Sequence, residues 1–204
     1  MQQTVFLEPD KFYHVYTRGN NKESIFKEEE NYFYFLQLFR KYISPYVYTY
    51  AYCLLPNHIH FLIKIKPEEY FTVHVPDSND LININLQRQF SHLFNAYTKA
   101  INKRYNRTGS LFQERFRRKE VISEVYFTRL VYYIHFNPQH HSLIEDFSDW
   151  PYSSYHSLLS KGRTLLQREN VLKWFGGRDW YRKFHEENAA DFNSITPLIE
   201  DDEL

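Results

Sequence analysis

The stretch YVYTYAYCLLPNHIHFLIKIK, residues 46–66, decides the predicted fold of this chain. Residues 46–55 are rich in β-branched and aromatic side chains, and the dipeptide Pro56-Asn57 ends that run. Residues 58–66 then alternate strictly between the two faces of an extended chain. The two halves therefore predict a β-hairpin.

Outside this hairpin the sequence predicts two further strands and three helices. They are a strand at 12–18, a helix at 28–43, a long helix at 81–105, a strand within 112–122, and a helix from the N-cap Ser123 to Asn137-Pro138. A loop is predicted at 67–80, before the long helix. The order β-α-β-β-α-β-α predicts a ferredoxin-like α+β fold, an antiparallel sheet with two helices on one face and an added helix. We predict one domain over residues 1–150 and a helical C-terminal extension, residues 151–204, that is not an independent domain.

The composition is that of a small protein with an ordinary core. Of 204 residues, 43% are hydrophobic, and the single cysteine, Cys53, excludes an intramolecular disulfide and is typical of a reducing compartment. The first residues lack the basic start and apolar run of a secretory signal. No apolar stretch is long enough to span a membrane. These features predict a soluble, cytoplasmic protein.

The formal net charge is zero, but the charges are distributed unevenly along the chain. Residues 99–120 carry eight basic side chains against two acidic ones. A neutral protein can still present a positive face to nucleic acid, although a solvated surface would give the same pattern. The basic residues of this run are Lys99, Lys103, Arg104, Arg107, Arg115, Arg117, Arg118 and Lys119.

The second strand of the hairpin carries a histidine pair, His58 and His60. Side chains at i and i+2 of a strand project side by side, so two imidazoles at this spacing can share a metal ion. Imidazole suits Mn and Zn and tolerates Mg less well. Two histidines alone are more often an exposed strand face, so a third ligand is needed.

The helix after Ser123 offers a third ligand and a use for the ion. At about 100° per residue, Tyr133 and Asn137 lie together along the edge of an apolar stripe, one turn apart. Tyr132 falls on the opposite side and is predicted to face solvent. A tyrosine hydroxyl beside a divalent ion can attack a phosphodiester. The simpler alternative is that Tyr133 merely borders the core.

Five segments together resemble a known family. They are FYHVYTRGNNKESIF (12–26), PNHIHFLIK (56–64), NRTGSLFQERFRRKEV (106–121), YYIHFNP (132–138) and WPYSSY (150–155). In their order and spacing they are similar to the single-tyrosine HUH transposases, of the insertion-sequence-200-like and REP-associated types. The resemblance covers residues 10–160.

The resemblance implies roles for particular residues in a ferredoxin-like nuclease domain. The family's metal-binding histidine pair matches His58 and His60. Its nucleophile and the metal-binding Gln or Asn one turn later match Tyr133 and Asn137. Insertion-sequence members usually carry Gln at the second position, so the Asn and the WPYSSY tail favour the REP-associated branch.

The activity that the resemblance implies is cleavage of single-stranded DNA beside small hairpins. It leaves a 5′-phosphotyrosine and a free 3′-hydroxyl, with Mg²⁺ or Mn²⁺ as cofactor and without ATP. Single-stranded or hairpin DNA is the implied partner, and Arg18 and Asn20 join the basic run as expected DNA contacts. Whether the active site forms within one chain or across a homodimer is left open.

Two other functions remain compatible with the sequence. One is a non-catalytic single-stranded nucleic-acid-binding protein with an aromatic-rich sheet. The other is a metal-dependent hydrolase of small phosphates, which would have no use for the basic run.

Overall fold

The computed structural model describes residues 6–74 and 81–187, and its centre is a four-stranded antiparallel sheet. The strands are β1 (Phe12–Arg18), β2 (Val47–Leu55), β3 (His58–Ile65), β4 (Thr72–His74), β5 (Leu81–Asn83) and β6 (Arg117–Glu120). The helices are α1 (Glu29–Tyr42), α2 (Leu86–Arg104), α3 (Glu124–His140), α4 (Tyr155–Leu159), α5 (Arg168–Trp174) and α6 (Arg178–Glu187). The sheet order is β2-β3-β1-β6, and β4 pairs with β5 separately. This order is ferredoxin-like, which confirms the predicted fold.

The hairpin predicted at residues 46–66 is formed by β2 and β3. The register between β1 and β3 sets Tyr16 opposite His60 and Arg18 opposite His58. Directly opposite residues of an antiparallel pair point to the same face of the sheet. Tyr16 and Arg18 therefore stand beside the two histidines.

Helices α1 and α2 cover the face of the sheet opposite the histidines. Phe61 of β3 is buried there, and its ring stacks on Phe39 of α1 with centroids 4.3 Å apart. Phe35 of α1 and Tyr97 of α2 complete the same cluster. Full burial of each such side chain contributes on the order of 1.5–3 kcal/mol, so this packing fixes β3 and the histidines on its other face.

Helix α3 packs on the histidine face, with its predicted apolar stripe against the sheet. Phe127, Leu130 and Ile134 are completely buried and belong to one cluster with Leu62 of β3. Ser123 is the N-cap, as predicted, because its Oγ accepts a hydrogen bond from the backbone N–H three residues later. The added helix is thus oriented by its own sequence pattern.

The predicted end of this helix at Asn137-Pro138 is wrong, because α3 continues to His140. Proline lacks an N–H donor and its ring crowds the preceding turn, but its carbonyl still accepts a bond, here from the backbone N–H of Leu143 at 2.9 Å. The N–H of His141 donates to the carbonyl of Asn137 at 3.0 Å. The extra turn therefore brings His141 to the C-cap.

The predicted exposure of Tyr132 is also wrong, because the C-terminal extension covers the outer side of α3. Tyr132 is completely buried. Its ring centroid lies 6.2 Å from that of Phe184 and 5.6 Å from that of His185, both on α6. A helical wheel separates the two sides of α3 but does not show that both sides are packed.

A chain of buried hydrogen bonds ties His135 of α3 to the C-terminal extension. Ser154 Oγ accepts from the backbone N–H of Tyr52 at 2.8 Å and lies 2.7 Å from His135 Nε2. His135 Nδ1 lies 3.0 Å from His185 Nε2, and His185 Nδ1 lies 2.8 Å from the carbonyl of Tyr181. A carbonyl only accepts, so each Nδ1 donates and each Nε2 accepts along the chain. The network is complete when both imidazoles are neutral.

The other differences from the predicted boundaries lie between β3 and β6. The loop predicted at 67–80 contains β4, and residues 75–80 lie outside the described residues. The helix predicted from residue 81 begins only at Leu86, because residues 81–83 pair with β4 and the Asn85 side chain accepts from the N–H of Arg88. The strand predicted within 112–122 is limited to β6. No helix within the described ranges is long and apolar enough to cross a membrane.

Candidate active site

The histidine face of the sheet forms a buried polar site under α3. His58 and His60 are 4% and 3% exposed, and their ring centroids are 5.1 Å apart. The Nδ1 atom of His58 lies 2.7 Å from the side-chain oxygen of Asn57. Because that oxygen can only accept, His58 carries its proton on Nδ1 and keeps a lone pair on Nε2.

Helix α3 brings Tyr133 and Asn137 to this histidine pair within one chain. The half-buried Tyr133 ring stands edge-on to the ring of His60, with centroids 5.6 Å apart and an interplanar angle of 88°. Asn137 is completely buried, and its Nδ2 donates to the carbonyl of Tyr133 at 2.9 Å. All four residues predicted to form the catalytic centre therefore lie together.

Burial keeps both histidines neutral at ordinary pH. Burial lowers the pKa of His58 to about 3, with nearby His141 and Arg18 lowering it further and Asn137 opposing. Burial, followed by the neighbouring histidines, holds the pKa of His60 well below its usual value. A neutral imidazole is the form that binds a metal ion.

The residues present fit a metal site of two imidazoles and an amide oxygen. Within the described residues, His60 Nε2 and Asn137 Oδ1 are buried and have no hydrogen-bond partner. Buried polar atoms are normally bonded, so these two unbonded atoms of one site fit a cation as their partner, provided that His60 carries its proton on Nδ1. Residues 6–74 and 81–187 contain no cluster of three or more His, Cys, Asp and Glu side chains suited to a metal. Asn137 is therefore the candidate for the third protein ligand.

The predicted basic run is divided between two faces of the sheet. On β6, Arg117 pairs with Tyr16 and Lys119 pairs with His14, so both point to the histidine face. Arg118 pairs with a residue of the opposite face, and its guanidinium lies 5.0 Å from the ring centre of Phe116. Arg117 and Lys119 are therefore the members of this strand that join the site.

Apart from Arg18, the other predicted DNA contacts lie elsewhere or serve the fold. Arg104 forms an ion pair with Glu28, and Arg107 one with Glu23 at 2.7 Å. The Asn20 side chain donates to the carbonyl of Ser110, and so holds the loop after α2. Lys99 and Lys103 are exposed on α2, in the layer opposite the histidines, and Arg115 is exposed before β6.

Arg18 is the remaining predicted contact, and it belongs to the site. It lies opposite His58 and is only 9% exposed. Burial lowers the pKa of its guanidinium, which still stays charged at ordinary pH. Within the described residues its Nε has no hydrogen-bond partner, so this buried donor is available to an anion.

Three residues of this face were missed by the sequence argument. His14 and Tyr16 stack on each other with centroids 4.7 Å apart, and the ring of His141 stands edge-on to His58 at 4.9 Å. Alternation along β1 could have identified His14 and Tyr16, because they share a face with Arg18. No sequence pattern pointed to His141, because the helix α3 was predicted to end at Asn137-Pro138, before this residue.

The fold and this face together define a structural class. It is a ferredoxin-like domain whose added helix holds a tyrosine against a histidine pair on a strand.

No family model matches the chain. A relative from Haemophilus influenzae, named as a candidate REP-associated tyrosine transposase, is 34% identical over 112 residues. That alignment covers 53% of this chain and 58% of the relative, so it spans little more than half of the relative's length.

A solved structure gives the same family name. It is a REP-associated tyrosine transposase bound to a REP hairpin, with a TM-score of 0.60 and 16% identity over 81% of this chain and 89% of the other. In sequence and in fold, the chain is thus similar to REP-associated tyrosine transposases. The resemblance carried by the sequence motifs is confirmed.

Proposed function

We propose that this chain is a metal-dependent, single-tyrosine DNA strand transferase that nicks and rejoins single-stranded DNA beside hairpins. The observation that carries the proposal is the edge-on contact between Tyr133 and His60, in a site where the buried His60 Nε2 and Asn137 Oδ1 atoms have no hydrogen-bond partner among the described residues. A tyrosine that only bordered the core would have no need of His60 and Asn137 as neighbours. The hairpin named with the related structure supports the choice of DNA.

The proposed chemistry uses Tyr133 as the nucleophile. Its hydroxyl oxygen forms a bond to phosphorus and loses its proton, while the bond from phosphorus to the 3′ oxygen breaks. The 3′ oxygen leaves and takes up a proton, and the phosphotyrosine keeps the bond energy for rejoining. His58, His60 and Asn137 would hold a Mg²⁺ or Mn²⁺ ion, which would supply polarisation of the phosphate oxygens. Arg18 would supply a buried positive charge to the same phosphate.

The first test is whether a covalent adduct forms. Incubation of the chain with Mn²⁺ and end-labelled hairpin DNA carrying single-stranded flanks should give a protein–DNA species that survives denaturation. EDTA and the substitution His60→Ala should each abolish it, whereas His92→Ala, an exposed histidine on α2, should not. DNA binding without any adduct would instead support a non-catalytic nucleic-acid-binding protein. Adduct formation in EDTA would exclude the metal.

The division of the basic run predicts which charges bind DNA. Replacing Arg117 and Lys119 with Gln should weaken single-strand binding and lower the log–log salt slope by about 1.4, at roughly 0.7 per phosphate contact. The matched variant carries Gln at Lys99 and Lys103, which lie on the opposite layer, and should leave the slope unchanged. Fluorescence anisotropy across a salt series measures both. A larger loss in the Lys99/Lys103 variant would assign DNA to the other face.

A further inference from the structure

His14 lies on β1 and contacts one member of the histidine pair directly. Its Nε2 atom is 2.9 Å from Nδ1 of His60, and the two rings are nearly parallel, with an interplanar angle of 17° and centroids 5.1 Å apart. His14 is completely buried. Within the described part of the chain, His14 Nδ1 and His60 Nε2 have no hydrogen-bond partner. The pair thus has one internal hydrogen bond and two unbonded outer nitrogens.

The proton in that hydrogen bond determines what His60 offers to a ligand. A neutral imidazole has one N–H group and one lone pair. If His60 Nδ1 donates, then His60 Nε2 keeps its lone pair and can bind a cation. If His14 Nε2 donates instead, then His60 Nε2 carries the proton and cannot bind one.

We propose that His14 is a positioning residue that accepts the Nδ1 proton of His60 and so leaves the Nε2 lone pair free for the cation. The inference rests on the proposed function, in which His60 is a metal ligand. Partners behind a metal-binding histidine fix its tautomer and ring orientation, and their loss typically weakens metal binding by about 10–100-fold. His14 does this from the neighbouring strand, without being a ligand itself.

The contact at His58 is a parallel case in the same site. There the side-chain oxygen of Asn57 accepts the Nδ1 proton, at 2.7 Å. The amide nitrogen of Asn57 donates to the carbonyl of Lys22 at 3.4 Å, which keeps the oxygen directed at His58. With His14 as acceptor, both histidines are Nδ1–H tautomers with Nε2 free. A two-imidazole metal site requires this state of both rings.

The test compares two substitutions at the same position. His14→Phe keeps a flat buried ring but removes the acceptor, whereas His14→Gln keeps an acceptor oxygen. Calorimetric titration of the metal-free full chain with Mn²⁺ should show affinity reduced by about 10–100-fold in His14→Phe and largely restored in His14→Gln. In the metal-free native protein, long-range ¹H–¹⁵N NMR should place the His60 proton on Nδ1.

Control variants separate the outcomes. His185→Gln changes a buried histidine in the other network and should leave Mn²⁺ affinity unchanged, which shows that the effect belongs to the histidine beside His60. Native affinity in His14→Phe, or a His60 proton on Nε2, would overturn the inference. If the native chain bound Mn²⁺ no better than His60→Ala, the metal part of the proposed function would fail instead. The NMR measurement of the His60 proton would then still decide whether His14 accepts that proton. The same measurement decides the question if His14→Phe does not fold.

Discussion

Tyr133→Phe should abolish the covalent protein–DNA adduct and lower the rate of strand cleavage on the order of 10⁴-fold or more, as expected when an attacking oxygen is removed. The substitution removes one hydroxyl and keeps the ring, which stands edge-on to His60 and His14. Hairpin affinity and thermal stability should therefore stay near native values. Single-turnover cleavage, measured beside equilibrium binding, gives the comparison.

Two other tyrosines provide matched controls. Tyr132 is adjacent in sequence but is buried against α6, so Tyr132→Phe should form the adduct at a near-native rate. Tyr16 shares the face of His60 and is the stronger competitor, since the two rings are 5.9 Å apart. Mass spectrometry of the digested adduct should find the 5′-phosphate on Tyr133. Phosphate on Tyr16 or Tyr132 would show that the nucleophile is misassigned.

Most of the fold could be predicted because its elements have strong periodic signals. Strict alternation of side chains in β3 predicts both the strand and the residues on each of its faces. The apolar stripe of α3 predicts which side of that helix packs on the sheet. Because Tyr133 and Asn137 are one turn apart and the histidines are two residues apart, helix and strand geometry alone brought each pair together. The approach of one pair to the other depended on tertiary packing, which the apolar stripe of α3 indicated and the family resemblance supported.

The parts that could not be predicted depend on contacts between distant segments. Tyr132 is buried by α6, and the sequence of α3 carries no information about a helix some fifty residues later. His14 is beside His60 only through the register of β1 on β3. The basic run looked continuous in sequence, but alternation along β6 directs Arg117 and Arg118 to opposite faces. One-dimensional charge density cannot reveal that division.

The metal-free protein should unfold on mild acidification, because it buries several neutral histidines. Burial lowers the pKa of His14, of His58 and of His185 to about 3. Burial also holds the pKa values of His60 and His135 well below their usual value. In the unfolded chain all five would titrate near pH 6.5. Below that pH the unfolded state binds protons that the folded state excludes, so stability is complete above it and falls as the pH is lowered.

The expected loss is large relative to the stability of a domain. Each histidine lowers the free energy of unfolding by about 1.4 kcal/mol for each pH unit below 6.5. Five together give a loss on the order of 7 kcal/mol per pH unit, against a total stability of roughly 5–15 kcal/mol for a typical domain. Acid unfolding is therefore expected between about pH 4.4 and pH 5.8, at or above the upper end of the range in which carboxylates protonate.

Urea unfolding in EDTA at a series of pH values from 7.5 to 5.5 measures this loss directly. His185→Gln is the informative variant, because a glutamine amide can donate to the Tyr181 carbonyl and accept from His135 without titrating. It should reduce the slope of stability against pH by about 1.4 kcal/mol per unit. His92→Gln, on the exposed side of α2, should leave the slope unchanged. A stability independent of pH over this range would mean that the buried histidines take up protons in the folded state, and the hydrogen-bond directions assigned to both histidine networks would then be wrong.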